Sequence, residues 1–342
     1  MNYFRQLFVF ILIPLCFITV KADWKKLKVN SFAWFHSVYF VNQNKGWIVG
    51  SQGAYLYTTD GGATWRQKEK FTNDTIRDVY FSDEQTGWIL CERDIYNVGT
   101  LSPSYILKTS NGGESWDKVN LDGDGKERLV KIFFSKDGFG YAVGEAGTFF
   151  AMQEDKKTWK KVNLSIRYLL LDGRFFNQKN GLIIGGGGSA YFTEDGGNTW
   201  NPANFVTKSN TKLNAVYFIN QNTGWTVGAE GKIFMSLNGG KLWHEQKSPI
   251  KTDLLDVFFV NTSEGWAVGD EGVLLYTTTA GNVWTPMQSV AKHKLERVFF
   301  NGQTGWIVGF GGTILSYNKN YKETNPPKIT PALQKRTYSA AY

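Results

Sequence analysis

The chain has 342 residues, a formal net charge of +8, 16% aromatic residues and only two cysteines. That cysteine count excludes a disulfide-stapled fold, and the dispersal of the lysines and arginines argues against a nucleic-acid-binding stripe. No repeat sustains a 3.6-residue apolar period, and glycine (37) far outnumbers proline (8), which fits an all-β chain.

The first residues differ in kind from the rest. Arg5 and the terminal amine form a short positive region, Leu7 to Val20 is uncharged, and Val20-Lys21-Ala22 supplies small residues at the −3 and −1 positions of a cleavage site. Residues 1–22 therefore read as a secretory signal peptide. The apolar run is shorter than the ~20 residues needed to span a bilayer, so the mature protein is expected to be peripheral to a membrane. Leu15 is bulky for a position before an acylated cysteine, which weighs against lipidation of Cys16. Export implies the periplasm, an outer-membrane-associated location or secretion, or the thylakoid lumen in a photosynthetic cell. Cys91 alone is then left, and it is read as a small buried residue.

From Asp23 onward one grammar repeats. In Gly46 to Trp65, a strand opens on Gly46-Trp47, turns at Ser51-Gln52-Gly53, returns over Ala54 to Thr59, and turns again at Asp60-Gly61-Gly62 before Trp65. The opening glycine recurs at Gly87, Gly140, Gly181, Gly224, Gly265 and Gly305, at intervals of 41, 53, 41, 43, 41 and 40 residues. An apolar run such as Val38-Tyr39-Phe40 precedes each copy and suits an innermost strand covered on both faces. Such a period predicts a seven-bladed β-propeller of four-stranded antiparallel blades over residues 23–321. The seventh repeat lacks a fourth-strand Trp, whereas Trp24 stands before any blade. Asp23 to Val29 is thus expected to complete the last blade and close the ring. Residues 322–342, with Pro326-Pro327 and Lys335-Arg336, read as a flexible basic tail.

Most motifs have a structural reading. The turns at Asp60-Gly61-Gly62, Asn111-Gly112-Gly113, Asp195-Gly196-Gly197 and Asn238-Gly239-Gly240 resemble the Asp-box of sialidases and related propellers, a hairpin on the outer rim away from any active site. Gly185 to Gly188 aligns with Gly50 to Gly53, and no helix follows it to present an N-terminus to phosphate, so it is a turn. Asp122, Asp124 and Glu127 lack the EF-hand spacing for calcium, and His36, His244 and His293 have no metal-ligand spacing, so neither metal nor cofactor is expected.

With Gly-Trp-x-Val-Gly ahead of the glycine turn, residues 24–317 resemble the Ycf48/HCF136-like family of photosystem II stability and assembly factors. The resemblance implies an exported, non-enzymatic, seven-bladed scaffold that binds membrane-protein assembly intermediates, partly through an arginine-rich surface. Independently, the positions just before the inner strands, where propellers open their central cavity, hold His36, Arg77, Lys131, Arg174 and Arg297. Trp34, Arg128 and Arg167 lie slightly upstream. Convergent arginines suit bidentate carboxylate recognition, and Trp34 and Phe35 would be aromatic anchors for an envelope or membrane protein partner. An acidic glycan is the alternative ligand. A sialidase-type hydrolase would need a Tyr–Glu pair and an acid that the sequence does not supply at matching positions. The long segment Cys91 to Ser104 is expected to border the same face.

Overall fold

The computed structural model describes residues 24–94 and 102–318. The leader and tail read from the sequence lie outside them, as does the middle of the Cys91–Ser104 segment. Seven antiparallel sheets follow one another along the chain. Blade 1 has Phe35–Phe40 innermost, then Gly46–Gly50, Tyr55–Thr58 and Arg66–Gln67 outermost. The same order holds through blade 6. Blades 3 and 5 each gain a short fifth strand, Asn120–Asp122 and Asn204–Phe205, running parallel to the outer strand where the connecting chain passes it.

Blade 7 is assembled from both ends of the chain. Leu295–Asn301, Thr304–Gly309 and Thr313–Asn318 form three strands, and Lys25–Lys26 adds the fourth through the pairs Lys25↔Ser316 and Lys26↔Leu315. Leu27 N–H extends the ladder by donating to the Ile314 carbonyl at 2.9 Å. Trp24 is anchored just before this strand, edge-on to Trp266 of blade 6 at 5.5 Å and to Phe300 at 5.8 Å. The edge of Thr313–Asn318 is thereby covered, and the new outer edge is a two-residue strand of exposed lysines, a poor template for another chain.

One aromatic arrangement repeats around the ring. The inner strand of each blade ends in phenylalanine, from Phe40 to Phe300. The first large side chain of the preceding blade's second strand lies over that ring: Trp47 on Phe81 at 3.5 Å, Tyr141 on Phe175 at 3.8 Å, Trp225 on Phe259 at 3.4 Å and Trp306 on Phe40 at 3.7 Å. The fourth-strand Trp of the same blade meets the phenylalanine edge-on, as Trp65 meets Phe40 at 5.6 Å. The opening glycine exists to make room: a Cβ on Gly46 would come within 2.5 Å of the Phe40 ring. The same clash occurs at all seven positions, which accounts for the Gly-aromatic step.

The glycine turns hold the third strand to the outer one. Asp60 accepts from Thr64 N–H at 2.9 Å and from Thr64 Oγ1 at 2.5 Å, while Thr58 Oγ1 accepts from Gly62 N–H at 2.9 Å. The Thr64 bonds depress the Asp60 carboxyl to about 2. Gly185 to Gly188 forms the tight turn expected of it, with Gly187 and Gly188 at φ of 63° and 69°. Blade 2 departs from the pattern. Its second strand runs on through Cys91 to Glu92, which pairs with Ser104, so the glycine that other blades need at that turn is not required. Cys91 is fully buried, and burial pushes its thiol up to about 12, which makes it inert.

Trp24→Ala should cost about 3–5 kcal/mol in denaturant unfolding, the range for emptying a buried aromatic site. Deleting residues 23–29 should lower the melting temperature of the whole ring, and an unchanged value would mean that the ring closes without that strand. Asp60→Ala should lower the melting temperature above about pH 4, because a depressed carboxyl stabilises only while ionised. The difference from wild type should shrink as the pH falls toward about 2.

Candidate functional site

Every inner strand carries a bulge at its start. Register slips between Phe35 and Ser37 in blade 1, Ile76 and Asp78 in blade 2, and at the same place in the other five. The extra residue puts Phe35 and Val38, three apart, into one apolar cluster with Phe40. Alternation without the bulge would have put Phe35 on the face of Ser37 and Tyr39, toward the axial cavity. The structure thus corrects Phe35 as an anchor: it is 0% exposed and packs inside the ring.

Two cross-sections of the axial cavity result. The residues just after the bulge form the first: Ser37, Asp78, Lys131, Asp172, Ala215, Asp256 and Arg297. Two positions further along stand Tyr39, Tyr80, Phe133, Arg174, Tyr217, Phe258 and Phe299. The cavity has a volume of about 340 Å³ and is lined by all seven inner strands.

The rim where the inner strands begin, the leading face, gathers only part of the expected set. Trp34 is half-buried; its Nε1 donates to Glu296 at 3.2 Å, its ring lies 4.8 Å from His36 and 5.8 Å from Phe310, and Lys294 Nζ sits 5.3 Å from its centre. His36 is buried with Nδ1 3.8 Å from Glu296, and burial lowers its pKa despite that carboxylate. Arg77 and Arg128 both bond Glu92, and Arg128 also lies 3.7 Å from Glu145. Arg167 is exposed on the neighbouring inter-blade loop.

Lys131, Arg297 and Arg174 are not on this rim. They lie beyond the bulge of their inner strands, where side chains line the axial cavity, whereas His36 and Arg77 are the bulged residues themselves. Lys131 bonds Asp78 at 3.1 Å and Arg297 lies 3.5 Å from Asp256. These carboxylates also tie neighbouring blades together. Asp78, Asp172 and Asp256, on blades 2, 4 and 6, accept from the backbone N–H of Ile132, Val216 and Val298 on blades 3, 5 and 7. Ser37 donates to Asp78 at 2.7 Å from the other side. Burial raises Asp256 to about 6 against the pull of Arg297 and Lys131. Burial would lower Arg297, but Asp256, Asp78 and Asp172 together hold it above its usual range. This layer sets three aspartates against two cations and backbone N–H groups, and so holds the ring together rather than offering positive charge to a ligand.

The sequence model described as "Photosynthesis system II assembly factor YCF48" matches residues 18–126, 70–169, 153–237 and 235–325, which together span most of the chain. The chain belongs to the YCF48 family. It is 25% identical over 214 residues to the photosystem II assembly lipoprotein Ycf48 of Picosynechococcus sp., an alignment covering 50% of this chain and 61% of that one. It is 24% identical over 123 residues to the stability/assembly factor HCF136 of Arabidopsis thaliana chloroplasts, covering 34% of this chain and 28% of that one. These alignments thus span less than two thirds of either relative. A solved structure of YCF48 bound to a D1 peptide superposes with a TM-score of 0.71 at 21% identity, covering 87% of this chain and 95% of that one. At that identity the superposition carries the fold.

Within this YCF48-family ring the remaining candidates are accounted for locally. Lys161 Nζ bonds Asp124 at 2.8 Å and Glu127 at 2.9 Å, so a lysine occupies the place a cation would take in the 122–127 loop. Among the described residues no group of three or more His, Cys, Asp and Glu side chains could hold a metal. Sequence reasoning missed Glu92, which joins Arg77 to Arg128, because it follows a second strand whose continuation through Cys91 was not foreseen. It also missed Phe310 and Lys294, which reach Trp34 from blade 7 only because the ring closes.

Removing one member of the axial pair should be costly. Asp256→Ala, which strands Arg297, is expected to destabilise by about 3 kcal/mol, whereas the double variant Asp256→Leu, Arg297→Met should recover most of that loss. Denaturant melts of the three proteins check the pair.

Proposed function

We propose that this chain is an exported, non-enzymatic propeller that holds a segment of a membrane-protein complex during assembly or stabilisation, using its leading face. One arrangement carries the reading: Arg77 and Arg128 share the single carboxylate of Glu92 beside a Trp34–Phe310 aromatic patch. Glu145 stands 3.7 Å from Arg128 at the edge of the group, and two guanidinium groups sharing Glu92 still leave most of their ten N–H donors unspent. His36 links the two halves of this rim, because it contacts Glu296 and feels the charges of Arg77 and Glu92. Acidic side chains or a carboxylate of an extended peptide would complete the arginines, with an apolar residue on the aromatic patch. Arg167 extends the basic strip.

The assembly-factor relatives, and the YCF48 that binds a D1 peptide, support this choice of partner class. The leader read at residues 1–22 supports a location outside the cytoplasm, peripheral to the membrane. A glycosidase is disfavoured by the same rim. Glu92 is engaged by two arginines and Glu296 by Trp34 and His36, which leaves neither as a free acid or nucleophile beside a tyrosine.

The test is capture of detergent-solubilised envelope complexes on the immobilised mature protein, with Arg77→Ala, Arg128→Ala and Arg167→Ala variants alongside. Wild type should enrich a membrane-complex subunit, and loss of both Glu92-bound arginines should weaken that binding about tenfold or more. Equal recovery on wild type and variants would defeat the assignment, as would sialoside turnover that disappears with Arg77→Ala.

A further inference from the structure

The opposite, trailing end of the axial cavity is built differently from the leading rim. Tyr80, Tyr39, Phe299, Phe258 and Tyr217 form an unbroken arc with ring centroids 4.5–5.7 Å apart. The arc should pass through blades 3 and 4 to close, and there it is deliberately interrupted. Blade 4 has Gly173 where the other blades have valine or isoleucine. A Cβ on Gly173 would lie 2.5 Å from the Phe133 ring, so only glycine lets Phe133 lean toward blade 4, near Tyr141 and Phe175, instead of continuing the arc. Arg174 is the blade 4 residue at this level of the cavity wall, where the arc has aromatic rings.

Arg174 stands apart from the other axial cations. Lys131 and Arg297 are spent on Asp78 and Asp256, whereas among the described residues no carboxylate lies within 4 Å of Arg174. Asp172, two positions back on its own strand, is turned to the backbone N–H groups of Gly173 and Val216. The Arg174 charge is close enough to act on the hydroxyls of Tyr39, Tyr80 and Tyr217. Lys136, exposed at the mouth, adds a second positive charge to the approach. A guanidinium without its own counter-ion, framed by aromatic faces in a small cavity, matches a mostly apolar ligand site with one orienting charge.

We propose that this end of the cavity binds a small, flat organic monoanion, an aromatic carboxylate, with its ring against the Tyr39–Phe299–Phe258 arc and its carboxylate on Arg174. The whole axial cavity, this end included, holds about 340 Å³, which limits the ligand to a body of one or two fused rings. The site is separate from the leading rim and does not depend on the protein partner proposed above.

The probe is 2-naphthoate, with the isosteric neutral 2-naphthamide as its control, titrated by calorimetry and by saturation-transfer NMR against the mature protein. Naphthoate should bind saturably, about tenfold or more tighter than the amide, as expected for one charge-assisted pair. Arg174→Gln should bring naphthoate down to the amide's level and leave the amide unchanged, while Arg174→Lys should keep part of the preference. The naphthoate–amide comparison on wild type needs no variant and stands whether or not Arg174→Gln folds. Equal binding of the two probes, no saturable binding at low millimolar concentration, or undiminished naphthoate binding by a folded Arg174→Gln would each overturn the proposal. Displacement of naphthoate only by a peptide whose own binding ignores Arg174 would overturn it too, by making the end a protein contact.

Discussion

A phenylalanine held on three sides governs the ring. Phe81, for example, has Trp47 of blade 1 over its face, Trp116 of its own blade against its edge, and Gly87 beneath it where no side chain could fit. Each of the three partners comes from a different strand, so one ring fixes the spacing of inner, second and outer strands and the approach of the blade before. Burying an aromatic side chain contributes on the order of 2–3 kcal/mol, with up to ~1 more for each well-placed ring pair. Repeated at seven interfaces, that contact is what a single 40-residue blade lacks and the closed ring supplies.

Because packing is handled by this repeat, the inner strands are free to vary where they face the axis. The residues after the bulge became an alternating ladder, with aspartates on blades 2, 4 and 6 gripping the backbone of blades 3, 5 and 7. A buried carboxylate is tolerated there because each one meets a cation or at least one backbone N–H. The charges that sequence reading grouped as one rim therefore divide three ways: a leading-face strip, a middle layer bound to aspartates, and Arg174 at the far end.

The division shows what a sequence of this kind discloses. Period and fourth-strand tryptophans made the seven blades and the borrowed strand legible, since both depend on spacing alone. The glycines were legible as turns, and their closeness to phenylalanine explains why the Gly-aromatic step tolerates Tyr141 or Leu182 after the glycine but nothing in place of Gly140 or Gly181. The site was less legible because a one-residue bulge reverses which side chains face inward. Phe35 and Trp34 are neighbours of similar character, and nothing local says that the first is core and the second rim. Contacts such as Trp34 with Glu296 join residues from opposite ends of the chain, and only closure brings them together.

That closure has a bearing on how the molecule comes into being. The outermost strand of blade 7 precedes every other described strand in the chain, and its partner, Thr313–Asn318, is the last of them. Blades 1 to 6 can accrete in order as the polypeptide emerges, but the final seam waits for a contact spanning nearly its whole length, the slowest kind to form. Until then Trp24 has no blade to dock against and Trp266 is uncovered on one side. The ring is in this sense a clasp whose two halves arrive with its first strand and its last.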